Sequence, residues 1–283
     1  MDTGAITAAA GGVVAAGLFG YMTLIEQFNI KTRELEFTFS NLPPAFDGYT
    51  ILHLSDLHFT KLGLLERRVM EIVSAREVDA CIVTGDVTKE PRASDIFRRV
   101  CSVVPHHDLI YTVLGNSEHK PWLDSNMLQS ALTFDGVKML INASTKIIRG
   151  DQSITLVGVD DAYSGFADVN AAFMGVDPQE FIIFLTHCPS TTPQGIEKGA
   201  DLILAGHTHG GQVRVPGVSL FWTHMRNNKK LNDGVYTAER LNRILKTDAG
   251  ESILFVHRGV GTSRVHIRLF CPPEIVYITL RRK

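Results

Sequence analysis

Apolar positions in this chain recur at two alternating periods, and that alternation predicts its elements. Thr50 to Leu54 is a short apolar run, followed by Leu65, Val69, Ile72 and Val73 at the spacing of an amphipathic helix, then by a second run, Ala80 to Thr84. Ile96, Val100, Val103 and Val104 repeat the helical spacing, and Leu109 to Leu114 makes a third run. Runs this dense suit strands covered on both faces, so the stretch predicts two consecutive β-α-β units in a parallel sheet. Ile154 to Val159, Phe181 to Thr186 and Leu202 to Ala205 continue the series. Ile253 to His257, Val265 to Phe270 and Ile275 to Leu280 read as strands of a second sheet, with Pro272-Pro273 marking a turn.

The runs end on polar residues. Asp56, Asp86 and Asn116 are spaced by 30 and 30 residues, the length of one strand, helix and return. Asp160-Asp161, His187 and the segment Gly206-His207-Thr208-His209 close later runs. In open parallel sheets ligands bind beyond the carboxyl ends of the strands, so these residues mark where chemistry would sit.

Length and charge narrow the field. The 283 residues, 45% of them apolar, are enough for one large layered domain with a sizeable core. With 28 basic and 30 acidic side chains the net charge is −2, which removes the electrostatic footprint of a nucleic-acid binder. The cysteines, Cys81, Cys101, Cys188 and Cys271, are widely spaced and read as reduced thiols, neither a disulfide framework nor a thiolate metal site.

Gly4 to Ile25 carries no charge over 22 residues, long enough to cross a bilayer at about 1.5 Å per residue. Its alanine and glycine content also suits a buried or interfacial helix. The expectation taken is a single N-terminal anchor over residues 1–27, a connecting segment over 28–48 and the main domain over 49–283. Asp2 stands where a signal peptide needs basic residues, so a cleaved leader is disfavoured. Lys31 and Arg33 follow the run, which places the body of the chain on the cytoplasmic side of that membrane.

Asp56, His58, Asp86, Asn116, His187, His207 and His209 form a mixed oxygen and nitrogen donor set, suited to one or two divalent cations such as Mn²⁺, Fe or Zn²⁺. A bridging carboxylate would hold two ions about 3.5 to 4 Å apart, in reach of the attacking and leaving oxygens of a phosphoryl group. Singly, each motif has a plainer reading. Asp-x-His after a strand is usually a turn and cap, Gly-Asp and Gly-Asn are ordinary turn dipeptides, and His187 alone could be a satisfied strand-end histidine. Two imidazoles in the glycine-rich bend 206–211 are harder to explain by packing.

Asp56-Leu57-His58, Gly85-Asp86, Gly115-Asn116, His187 and Gly206-His207-Thr208-His209 together resemble the five ordered motifs of the calcineurin-like metallophosphoesterases, over roughly residues 52–280. Gly158-Val159-Asp160-Asp161, Gly210-Gly211-Gln212 and Gly259-Val260-Gly261-Thr262-Ser263 resemble the membrane-associated bacterial branch that includes phosphodiesterase-like enzymes and UDP-2,3-diacylglucosamine pyrophosphatases. The resemblance implies an α/β fold, a four-layer α-β-β-α sandwich with a dimetal site at the C-terminal strand ends. It further implies Asp56, His58 and His209 on one ion, Asn116, His187 and His207 on the other, and Asp86 between them. The ions would most commonly be Mn²⁺. The implied reaction is in-line attack on phosphorus by a metal-bound hydroxide, with Asp86, Asn116 and His207 in the catalytic centre.

One departure from the family pattern is Ser117, where a histidine usually follows Gly-Asn. A serine is a poor proton donor near neutrality, which favours pyrophosphate bonds, whose leaving phosphate needs little protonation, over simple esters. His119 is the candidate to replace the missing acid, its plainer reading being a solvated loop histidine. Ser117, Asp161 and Arg226 are candidate substrate contacts. Asp160, Asp161 and Asp168 could equally close a loop. His106-His107 reads as a solvated turn, and the basic stretch Thr223 to Lys230, with His224, Arg226 and Lys229, as either a surface loop or a phosphate or headgroup contact.

The functional expectation is hydrolysis of UDP-2,3-diacylglucosamine to 2,3-diacylglucosamine 1-phosphate and UMP at a bacterial inner membrane, as in lipid A biosynthesis. The partners expected are that membrane and a phosphorylated lipid or nucleotide-sugar, with no nucleic acid. The alternatives are a general metal-dependent phosphodiesterase and a non-enzymatic metal-binding membrane scaffold.

Overall fold

A computed structural model of the chain describes residues 3–88, 90, 93–105, 109–121, 123, 125–133, 136–215, 225 and 230–283. Strands β1 (Lys31–Phe39), β2 (Thr50–Leu54), β3 (Ala80–Thr84), β4 (Ile110–Val113), β5 (Val137–Met139) and β12 (Glu274–Arg282) form one sheet, in the order β1-β12-β2-β3-β4-β5. Strands β6 (Ala143–Arg149), β7 (Gln152–Gly158), β8 (Ile182–Leu185), β9 (Leu202–Ala205), β10 (Gly234–Tyr236) and β11 (Ile253–Val256) form the other, in the order β10-β11-β9-β8-β7-β6. Helices α2 (Leu64–Ser74) and α3 (Ser94–Val103) return the chain between β2, β3 and β4, which pair in parallel as the two predicted β-α-β units require.

Three apolar clusters make the layers. Ile51, Ile82 and Ile278 of the first sheet meet Ile154, Ile183 and Leu204 of the second in the core between the sheets. Leu52, Val83 and Tyr277 point the other way, against Val69 and Val73 of α2 and Phe97 and Val100 of α3, together with Leu132 of α4 (Ser125–Leu132). Phe184, Ile203 and Leu254 do the same on the second sheet, against Ala172 of α5 (Val169–Ala172), Ile196 of α6 (Thr192–Glu197) and Leu241 of α7 (Ala238–Leu245). The period-two alternation of each strand therefore feeds two cores at once, and the result is the expected four-layer α-β-β-α sandwich.

Three expectations are corrected. Residues 31–39, inside the stretch read as a connector, form β1, paired in parallel with β12 from Lys31 opposite Glu274 to Phe39 opposite Arg282. Of the three C-terminal runs read as a second sheet, only β11 joins that sheet. Residues 275–280 lie in β12, which returns to the first sheet between β1 and β2. Residues 265–270 form no strand: the Arg268 N–H donates to Met22 O and the Leu269 N–H to Gln212 O, so their backbone partners lie on two different segments.

The third correction concerns the anchor. The uncharged run of residues 4–25 is not one helix. Helix α1 (Thr3–Gly20) has 18 residues, and the chain then winds through a π-helical turn, Tyr21–Ile25, and a 3-10 turn, Glu26–Phe28. At about 1.5 Å per residue α1 is roughly 27 Å long, short of the hydrocarbon layer of about 30 Å, and its alanines and glycines add little transfer energy. Among the described residues no helix is long and apolar enough to cross a membrane. The expected inner-membrane span is thereby overturned, and with it the cytoplasmic placement that depended on it.

Candidate metal centre

All seven candidate ligands leave the C-terminal ends of strands, from both sheets. Asp56 and His58 follow β2, Asp86 follows β3, Asn116 follows β4, His187 follows β8, and His207 and His209 follow β9. The chain turns sharply there. Asp56, His58, Asp86, His207 and His209 all adopt positive φ, between 49° and 69°, a conformation that costs a non-glycine residue energy and recurs at functional sites. Gly85 (φ +80°) cannot be replaced cheaply, because a Cβ there would sit 2.7 Å from Gly115 N and 2.8 Å from His187 Nδ1. A Cβ on Gly206 would collide with the Ser55 hydroxyl.

The side chains gather into two groups that share Asp86. Ligand atoms of Asp56, His58, Asp86 and His209, all buried, lie within 4.8 Å of one another. His58 Nε2 is 3.1 Å from His209 Nε2 and 3.3 Å from Asp86 Oδ2. On the other side, His187 Nε2 is 3.4 Å from Asp86 Oδ1, 3.3 Å from Asn116 Oδ1 and 3.2 Å from His207 Nδ1. The two oxygens of one carboxylate thus face two separate donor sets.

Neighbours fix the orientation of three of the candidate ligands. Asp56 Oδ2 accepts from Ser55 Oγ at 2.7 Å and from the His207 N–H at 3.0 Å. Its other oxygen, Oδ1, is buried without a hydrogen bond and lies 3.2 Å from His209 Nε2. His187 Nδ1 donates to Thr84 O at 2.7 Å, which leaves Nε2 as the nitrogen that can accept or ligate. Asp86 Oδ1 accepts the Ser117 N–H at 2.7 Å.

The electrostatics have a common cause. Burial alone would raise the Asp56 carboxyl, but the imidazoles of His209, His187 and His58 hold it well below the usual carboxylate range. Burial raises Asp86, with Asp56 adding to it against His187. Burial works against charge on His187, yet the carboxylates of Asp86, Asp56 and Asp161 push it up to about 9. The field that retains a proton there is one that cations would relieve.

The donor set fits divalent metal. Ligands about 2.0 to 2.2 Å from one ion stand roughly 3.0 to 3.5 Å from each other, which matches the spacings above, and Asp56 Oδ1 is a buried acceptor with no hydrogen bond. Asp56, His58, Asp86 and His209 form the buried group that could hold an ion, and Asn116 and His207 gather with His187 against the other oxygen of Asp86.

The other sequence candidates divide. Ser117 is at the site, its Oγ 3.4 Å from His58 Nδ1. His119 Nε2 donates to Asp160 Oδ1 at 2.6 Å and its ring stacks on Phe166, centroids 4.3 Å apart. Partial burial opposes its charge, but the Asp160 carboxylate raises its pKa overall. Asp161 closes a turn, accepting from the Tyr163 and Ser164 N–H groups at 3.0 and 2.7 Å, while also lending charge to His187. Asp168 caps α5 by accepting from the Ala171 N–H. Arg226, His224 and Lys229 of the basic stretch, and His106-His107, lie outside the described residues.

Sequence reasoning missed Glu118. Its buried carboxylate accepts from the N–H groups of Asp86, Val87, Thr88 and Gly115 at 3.0, 2.8, 3.3 and 2.8 Å, tying the turn after β3 to the turn after β4. Burial and the Asp86 charge push it up to about 8 against those donors. The signal available was an acid two residues beyond Asn116. Tyr163, whose ring centroid is 4.8 Å from that of His207, was also missed.

The sequence profile of the family described as Calcineurin-like phosphoesterase matches residues 49–211, more than half of the chain. A Bacillus subtilis protein named uncharacterized metallophosphoesterase YkuE is 27% identical over 282 residues, covering 96% of this chain and 93% of its own. The Escherichia coli phosphodiesterase YaeI is 27% identical over 283 residues, covering 97% of each chain. The Chlamydia muridarum UDP-2,3-diacylglucosamine pyrophosphatase LpxG is 25% identical over 287 residues, covering 83% of this chain and 85% of its own.

Proposed function

The chain belongs to the calcineurin-like phosphoesterase family, and we propose that within it this protein hydrolyses a phosphodiester or pyrophosphate bond with two divalent cations. The observation that carries the reading is Asp86, whose Oδ2 and Oδ1 face separate imidazole sets at 3.3 and 3.4 Å. When bound, the cations neutralise the phosphoryl oxygens and acidify the water that attacks phosphorus; Mn²⁺ is the ion proposed, with Fe and Zn²⁺ as alternatives.

The protein's own groups hold this arrangement before substrate arrives. Ser55 and the His207 backbone fix Asp56, and Thr84 O fixes His187. The turn residues in the left-handed region aim side chains that an ordinary strand end would send apart. Ser117 Oγ lies beside His58 but is too weak an acid to protonate an alkoxide near neutrality. A phosphate leaving group, with a second pKa near 6, needs no such donor, which favours pyrophosphates over simple alkyl esters. His119, whose Nε2 donates to Asp160 Oδ1, is the group we assign to the leaving-group side.

Similarity to LpxG supports UDP-2,3-diacylglucosamine as the substrate, cleaved to 2,3-diacylglucosamine 1-phosphate and UMP. YaeI, named a phosphodiesterase, supports the broader reaction. The test is hydrolysis by the purified full chain with Mn²⁺ on UDP-2,3-diacylglucosamine, bis-p-nitrophenyl phosphate and p-nitrophenyl phosphate. The first two should turn over; the third, which shares the p-nitrophenolate leaving group, reports whether a monoester is accepted. Asp86→Asn should lower kcat/KM by about a hundredfold or more with an unchanged circular dichroism spectrum. Turnover of bis-p-nitrophenyl phosphate alone removes the nucleotide-sugar substrate. Activity that survives both EDTA and Asp86→Asn removes the two-cation reaction.

A further inference from the structure

A groove of about 590 Å³ opens on the His58 side of the cluster, between the 3-10 turn Glu26–Phe28, the start of α2 and the loop after Gly261. We propose that this groove seats an apolar chain carried by the phosphoester substrate, so that the segment before β1 helps choose the substrate. The proposal rests on the hydrolase reading above.

Three features of the groove support it. His58 and Leu57 belong both to its wall and to the turn that carries the candidate ligands, so the groove begins beside the cluster. Its volume lies within the range of about 300 to 1,000 Å³ typical of small-molecule sites. The wall contributes Phe28, Leu64 and Leu65, and Leu64 is 57% exposed at the first position of α2, where nothing in the helix requires a leucine.

Charge selects the occupant. Among the described residues the groove's ionic side chains are Lys61, Glu66 and Glu90, and Glu66 is engaged in capping α2 by accepting from the Gly63 N–H at 2.9 Å. Among the described residues the wall carries no net positive charge for the second phosphate of a nucleotide, and beside its polar groups it offers an apolar side made by Phe28, Leu64 and Leu65.

The Phe28 side of the groove is anchored. Glu26, buried two residues before it, accepts from the Cys271 N–H at 2.7 Å, and Met22 O accepts from the Arg268 N–H at 3.2 Å. Arg268, itself buried, donates to Gly259 O at 3.0 Å and to Gly261 O, and the Gly261 N–H donates to Asp56 O at 2.8 Å. The apolar wall and the first ligand turn are thus parts of one hydrogen-bonded unit.

The test is a series of alkyl p-nitrophenyl phosphodiesters, methyl to octyl, held below their critical micelle concentrations and assayed with the Mn²⁺-loaded full chain. Burial of each methylene should raise kcat/KM about two- to fourfold until the groove is filled. Leu64→Asp, whose charge suits a helix N-terminus and so spares the fold, should flatten that rise, as should Phe28→Ala. A flat series in the unaltered protein, or a slope unchanged in both variants, overturns the groove. Failure to cleave any member, the methyl ester included, overturns the hydrolase reading instead. The groove is then judged by calorimetry with methyl- and octylphosphonate, where equal affinities refute it and tighter octyl binding that Leu64→Asp abolishes supports it.

Discussion

Five of the seven candidate ligands occupy the left-handed region, with His207 the furthest at φ 69°. Each such residue costs about 1 to 3 kcal/mol and persists only where its surroundings over-determine it. Around Asp86 those surroundings are Glu118, which receives four backbone N–H groups from two turns. Above about pH 8, where the carboxylate is ionised, Glu118→Gln puts an N–H₂ group where an acceptor is needed. It should cost about 1 to 3 kcal/mol of stability and lower Mn²⁺ affinity about 10- to 100-fold. Urea unfolding in EDTA and a metal titration measure the two effects separately. Weakened stability with unaltered metal affinity would mean that Glu118 does not set the position of Asp86.

At the scale of elements, what the sequence made legible depended on how its apolar residues are spaced. Strands β2, β3 and β9 were read to the residue because short parallel strands buried on both faces are continuous apolar runs. Helices α2 and α3 followed from stripes at i, i+4 and i+7. Strand β1, with its Lys-Thr-Arg-Glu-Leu-Glu start, escaped because it lies at a sheet edge and alternates polar and apolar positions. Strand β12 was found but assigned to the wrong sheet, since no local pattern says which neighbour a strand will pair with. The seven candidate ligands were legible as strand-end polar groups. Their left-handed turns and the Glu118 bridge were not, because both depend on contacts between segments remote in sequence. Glu26 is a further case: nothing near it in sequence announces that it will be buried against Cys271 N, 245 residues away. Glu26→Ala leaves that N–H unpaired and should destabilise the protein by about 1 to 3 kcal/mol in urea unfolding. No change would mean that the segment before β1 is held by other contacts.

Across the whole molecule, the layer between the sheets contains an unusual pair, His53 and His257, fully buried with ring centroids 4.9 Å apart. Burial pushes His257 down to about 3, and burial with the His257 charge holds His53 well below its ordinary value. Both are neutral in the folded protein. Above about pH 6.5 the unfolded chain is neutral there too and neither contributes. As pH falls from about 6.5 toward 3, the unfolded chain takes protons that the folded one refuses, so stability drops by about 1.4 kcal/mol per pH unit for each histidine. The carboxyls raised by burial act in the opposite sense, so the informative quantity is a difference between proteins. Between pH 6.5 and 5 in EDTA, His257→Asn should lose about 2 kcal/mol less than the unaltered chain in urea unfolding, its side-chain oxygen still accepting from the Gly259 N–H. Equal losses would mean that the pair is not held neutral.

The two donor sets draw on both halves of the sandwich, Asp56 lying 151 positions before His207. Neither sheet alone supplies a complete coordination sphere. Cation uptake would then require the strand ends of β2, β3, β4, β8 and β9 together, so on the reading proposed above a metal titration reports that the two sheets have met.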